Sequence, residues 1–167
     1  SSAASDVYKR QRLLVAAARL AGVQVVLMEM PSRAELRQKN LFNVADLHMH
    51  WHDEGHFLCV KVDKHSKSKK TLNSVFELFR LRDKEVPIEV IEFSKDTSVS
   101  AFAWEPKGIR YAVIHANEGQ RVDVSFYSMG SKYNGRVSLI KTMERKACST
   151  LWWSPVGNII LLANLKG

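Results

Sequence analysis

Four histidines fall within nine residues, at His48, His50, His52 and His56, with Asp53 and Cys59 beside them. His48, His50 and His52 alternate, so an extended segment would place all three on one face. Imidazoles sharing a face are the raw material of a zinc site. Consecutive same-face residues of a strand stand about 6.5–7 Å apart, a span that two ligands of one metal can bridge and three strain. The spacing therefore predicts no bound metal and a part-exposed strand face that carries histidine. A second constellation is basic: Lys61, Lys64, Lys67, Lys69 and Lys70, followed by Arg80, Arg82 and Lys84. In a hairpin these two groups would come near each other. Lysines and arginines so placed would hold phosphates without reading a base sequence, as on ribosomal RNA. A solvated lysine loop accounts for the same run, and no aromatic is interleaved in it. Gly-rich phosphate loops and Gly-x-Ser-x-Gly elbows are absent from the sequence, so no catalytic constellation, cofactor or small-molecule substrate is expected.

Whatever carries these side chains must be a soluble, folded chain. It has 167 residues, 25 Lys and Arg against 17 Asp and Glu, and a formal charge of +8. Such a length suits one domain or part of one, and 46% hydrophobic content suits a packed core. The charge favours acidic partners such as RNA. Two cysteines, Cys59 and Cys148, cannot build a disulfide framework or a four-cysteine zinc site. The apolar run Leu13–Ala18 ends at Arg19, too short for a signal peptide. Arg19, Gln24 and Glu29 interrupt any membrane span.

The elements come from a repeat. Trp51 precedes Gly55, Trp104 precedes Gly108, and Trp153 precedes Gly157, each by four residues. A short alternating segment leads into each tryptophan. Apolar runs follow, at Phe57–Val60, Tyr111–Ile114 and Ile159–Leu162. That pattern reads as strand, tight turn, strand, with glycine supplying a positive φ. Two further strands follow in the first two units, at 75–81 and 86–93, and at 122–128 and 136–143. The steps between tryptophans are 53 and 49 residues. Four strands in a unit of about fifty residues predict all-β structure of the β-propeller kind. The tryptophans are expected to pack between blades.

Residues 45–93 read as one blade and 94–143 as a second, with 144–167 as the first two strands of a third. Residues 13–44 read as the end of a preceding blade plus a helix-like stretch, Ser32 to Lys39, with Pro31 at its start and Glu35 in its first turn. Residues 1–12 are polar and patternless and are expected to be non-native or disordered. About two and a half blades do not close a ring, so an open arc of a larger, WD40-like propeller is expected. Such an arc, isolated, would be marginal or self-associating.

Beyond these patterns, a family resemblance rests on the ordered set Arg33–Val44, Leu58–Asp63, Phe76–Arg80, Val86–Val90, Ala101–Gly108, Val124–Tyr127 and Trp153–Gly157. About residues 23–167 are similar to the b-type subunits of eukaryotic translation initiation factor three. The resemblance implies a non-enzymatic cytoplasmic scaffold whose propeller contacts the small ribosomal subunit, protein and rRNA, beside other subunits of the factor. The propeller of translation initiation factor two A resembles it in the turn motifs. A generic interaction propeller more often ends its repeats in Trp-Asp, which is absent here. A prolyl-peptidase-like enzyme would need a nucleophile elbow.

Overall fold

Short alternating or wholly apolar runs bounded by Gly, Pro and Asn turns leave the backbone one economical solution, the antiparallel ladder. A computed structural model describes residues 12–19, 22–66, 70–117 and 119–165, and every regular element among them is a β-strand. Two compact units result, Ser1–Val44 and Ala45–Gly167.

In the first unit, β1 (Arg12–Arg19), β2 (Gly22–Glu29) and β3 (Glu35–Leu41) form a three-stranded antiparallel sheet in that order. The helix expected over 32–39 is therefore a turn and a strand. Glu29 N–H donates to Ala34 O (2.9 Å) and Arg33 N–H to Glu29 O (2.8 Å), and Arg33 takes a φ of 60°. Pro31 and Glu35 mimic a helix start. A ladder onto β2, with Val25 opposite Lys39 and Val26 opposite Gln38, gives the backbone partners that a nucleus of two helical turns lacks. Arg12, assigned above to the non-native segment, opens β1; residues 1–11 lie outside the described residues.

The second unit holds two four-stranded sheets and one of two strands. The first sheet runs β4 (Val44–Trp51), β5 (Phe57–His65), β6 (Leu72–Arg80), β7 (Ile88–Glu92). The second runs β8 (Thr97–Trp104), β9 (Arg110–Asn117), β10 (Val122–Ser128), β11 (Ser138–Lys146). The third pairs β12 (Thr150–Trp153) with β13 (Ile160–Ala163). β11 runs past Met143, where the sequence reading ended it, because irregularities in its register keep Lys146 opposite Val122.

The second four-stranded sheet is apolar on both faces, and the sheets stacked on either side cover them. Phe57, Cys59, Phe76 and Leu78 of the first sheet pack on Val99, Trp104, Tyr111 and Val113 of the second. Ala112, Ile114 and Val124 turn the other way, onto Leu151, Ile160 and Leu162. The outward face of the two-stranded sheet stays in solvent: Trp152 is 47% exposed, Leu161 59% and Ile159 69%. Burial there selects Leu151 and leaves Ile159 and Leu161 out, because alternation along each strand sends neighbours to opposite faces.

Candidate functional site

The tryptophans repeat a contact between successive sheets. Trp104 donates its indole N–H to the carbonyl of His50, the residue before Trp51 (2.7 Å). Trp153 donates to Ala103 O, the residue before Trp104 (3.1 Å). In all three turns the residue after Trp donates its N–H to the carbonyl five positions on: His52 to Phe57, Glu105 to Arg110, Ser154 to Ile159. Trp51 itself is 38% exposed.

That same position after Trp reaches forward into the next sheet. His52 Nε2–H donates to Glu105 O (3.1 Å), and its ring lies edge-on to Trp104. Glu105 is buried and ion-paired to Arg110, with Arg110 Nε 2.9 Å from Oε2. That guanidinium holds the Glu105 carboxyl below the usual carboxylate range. It also lies over the Trp153 ring and donates to Asn158 Oδ1 (3.1 Å). Gly55, Gly108 and Gly157 all lie in these turns. Gly55 and Gly157 have φ of 67° and 80°. Gly108 does not take a positive φ; a Cβ there would overlap the Glu105 carboxylate. Gly108→Val should therefore act by pushing Glu105 off Arg110, at a cost of about 1–3 kcal/mol. Urea unfolding checks this. A Glu105→Gln background should shrink the penalty, which a purely backbone cause would leave untouched.

The histidines divide between this seam and the surface. His50 stacks on Phe102 (4.7 Å between centroids), His52 is buried, and His48 pairs with Asp46 at 2.9 Å. Among the described residues no three side chains of metal-ligating type converge. Burial pushes His50 down to about 4, with His48 and Lys61 adding to the shift, and burial likewise lowers His52, His56 and His115. The unfolded chain takes up these protons near pH 6.5, whereas the folded seam resists them. Stability should be full above that pH and fall as the pH drops from 6.5 towards 4. Thermal melts across this range check it, and His50→Phe, which keeps the stack, should flatten part of the acid limb.

The basic residues divide. Lys61 sits on β5, buried, with Nζ 2.5 Å from Asp63 Oδ2. Ser74 donates to Asp63 Oδ1 (2.6 Å), and Val99 N–H donates to Ser74 Oγ (2.8 Å), which ties the chain of contacts to the next sheet. Arg80 is also buried. It donates to Met129 O (2.7 Å) and Ser131 O (3.2 Å) and lies 3.6 Å from Glu89. Arg82 spends its donors on Glu54 O and Gly55 O. Lys84 is exposed, in the turn after β6. Lys64 and Lys70 flank the far, β5–β6 tip; Lys67 and Lys69 lie outside the described residues. The tip and the Arg80–Lys84 turn lie at opposite ends of β6, about 25 Å apart, so they do not form the single patch expected. The missed signal was Asp63, two residues from Lys61 on the same strand face, a spacing that pairs charges inside a sheet covered on both sides.

Residues 39–167 match the family model described as Eukaryotic translation initiation factor eIF2A. The chain belongs to this family. Among curated proteins it is 52% identical over 146 residues to the B subunit of eukaryotic translation initiation factor 3 from Arabidopsis thaliana, and 46% identical over 143 residues to that from Xenopus laevis. Both alignments cover 86% of this chain and 20% of the relative. The chain thus spans about a fifth of the length of the curated relatives it matches. Among solved structures it is similar to a eukaryotic initiation factor, with a TM-score of 0.66 and 14% identity over 92% of this chain and 34% of that one. It is also similar to the β-propeller domain of Myceliophteria thermophila Cps50 (Swd1), with a TM-score of 0.53 and 13% identity over 99% and 51%. At such identities the likeness shows the fold, a partial WD40-like β-propeller. These factor 3 relatives agree with the resemblance read from the motifs.

Proposed function

We propose that the chain serves as a non-enzymatic, cytoplasmic scaffold of translation initiation, as part of the initiation factor three complex in contact with the small ribosomal subunit. The observation that carries this is its 52% identity to the factor 3 relative from Arabidopsis thaliana. In support, buried polar groups described above hold sheet to sheet, the Trp indoles on carbonyls and Arg80 on the 129–131 backbone, while Glu105 and Arg110 pair across the β8–β9 turn. Of the histidines, His52 is buried and His50 is stacked on Phe102. No helix among the described residues is long and apolar enough to cross a membrane. A second reading, the propeller of factor 2A, is favoured by the description of the matching family.

Affinity purification of the protein from cell extract, followed by sucrose-gradient sedimentation, separates the two readings. Co-purification with other factor three subunits and migration with small ribosomal subunits is the expected result. Recovery free of those subunits would favour the second.

A further inference from the structure

The antiparallel order sends the connections of the second unit to two ends. One end carries the turns after Trp51 and Trp104, the β6–β7 turn and the 129–137 connection. The other carries the β5–β6 tip, the β7–β8 link, the β9–β10 tip and the end of β11, since Thr97 lies opposite Asn117 and Lys146 opposite Val122. These four pieces are continuous. Thr71 Oγ1 donates to Asp96 Oδ1 (2.6 Å) and Asp96 N–H to Asn73 Oδ1 (2.7 Å), joining the first tip to the β7–β8 link. A cavity of about 180 Å³ lined by Ser94, Thr97, Gln120 and Arg121 joins that link to the second tip. A second, of about 490 Å³, lined by Arg121, Asp123, Glu144 and Arg145, joins the tip to β11.

Along this ridge stand Lys64, Lys70, Lys95, Arg121, Arg145 and Lys146, all exposed except the half-buried Lys64. None of the six enters an ion pair among the described residues. Four acids stand nearby, Asp96, which accepts from Thr71, Asp123, which accepts from Arg145 N–H (2.8 Å), Glu92 and Glu144, so the six cations outnumber them. At the opposite end Lys84, Lys107 and Arg136 are exposed beside the acids Asp53, Glu54 and Glu85, and two further cations are engaged. Lys132 is 3.2 Å from Glu54, and Arg82 is bonded to carbonyls.

We infer that this ridge, two sheets wide, binds the phosphate backbone of RNA without reading its sequence. Unpaired cations on loop tips, with hydroxyl and amide groups between them, are what phosphate contacts need. A protein partner would need an apolar centre to its footprint. Leu72 is the one large apolar side chain exposed among these connections in the described residues. The inference deepens the proposed function, resting on it only for the choice of RNA as the natural polyanion. It replaces the Arg80–Lys84 half of the expected patch with Lys95, Arg121, Arg145 and Lys146, and it does not depend on Lys67 or Lys69.

The test uses the whole chain and a fluorescent RNA stem–loop, followed by anisotropy from about 50 to about 200 mM KCl. Arg121→Gln, Arg145→Gln and Lys146→Gln together should weaken binding by at least about tenfold and lower the salt slope by about 2–3. Lys84→Gln, Lys107→Gln and Arg136→Gln, at the opposite end, should change neither. Circular dichroism confirms that both variants keep their strands. Equal losses in the two triple variants would overturn the inference, as would no loss in either or no binding by the unaltered chain. Displacement of the RNA by polyglutamate at equal charge concentration would overturn the choice of RNA. Any of these failures, with ribosome sedimentation intact, would leave the scaffold reading standing.

Discussion

Replacing Arg80 with Met should lower the unfolding free energy by about 3–5 kcal/mol, the usual loss when one member of a buried, hydrogen-bonded charge pair is removed. The guanidinium is 3% exposed. It is the point where the first four-stranded sheet grips the second: two N–H groups reach the carbonyls of Met129 and Ser131, and the plane lies over the Phe57 ring. Met fills the volume but supplies no donor, so two carbonyls lose their partner and Glu89 loses its cation. Glu89 also accepts from Val137 N–H, and Asp83 from Asn134 N–H, so the 129–137 connection should loosen as a whole. Urea unfolding gives the first quantity and amide exchange at Asn134 and Val137 the second. A loss below about 1 kcal/mol, with exchange unchanged, would show that the clamp is idle.

Trp104→Ala should be comparably severe, about 3–5 kcal/mol for a buried large aromatic. Its ring stacks on Phe57 (5.5 Å) and meets Phe102 and Tyr111 edge-on, at the centre of the largest aromatic cluster of the seam. Trp104→Phe separates the causes. It keeps an aromatic ring and removes the donor to His50 O, for about 1 kcal/mol. Trp51 occupies the same place in the repeat but is 38% exposed. Trp51→Phe should stay within about 0.5 kcal/mol of the parent. Equal effects at the two tryptophans would mean that position in the repeat, rather than burial, sets the energy.

The turns were legible because Trp-x-x-x-Gly is local: the glycine and the flanking alternation state the geometry within ten residues. The strands of the two four-stranded sheets were legible for the same reason. Residues 32–39 were not, because Pro31 and Glu35 are as much at home beside a hairpin turn as at a helix start. What decided the matter was β2, a long-range partner. Lys61 and Arg80 failed differently. Both sit on strands whose two faces are covered, and a lysine's charge says nothing of its depth until the neighbouring sheet is in place. Gly108 reads in the sequence as a positive-φ turn residue, yet what excludes a side chain there is the carboxylate of Glu105, three positions away. Of the basic ridge only Lys64 and Lys70 were legible in the sequence, because the other cations come from three further connections. Only the polarity of the hairpins gathers them.

The indole contacts have a direction. Trp104 takes its acceptor from His50, and Trp153 takes its acceptor from Ala103. In each pair the carbonyl is some fifty residues nearer the amino terminus than the ring that seeks it. A nascent chain therefore exposes every acceptor before the matching tryptophan has been synthesised. Each sheet can dock on a surface already waiting, so assembly can keep pace with elongation, and the register of one sheet against the next is set in the order of translation.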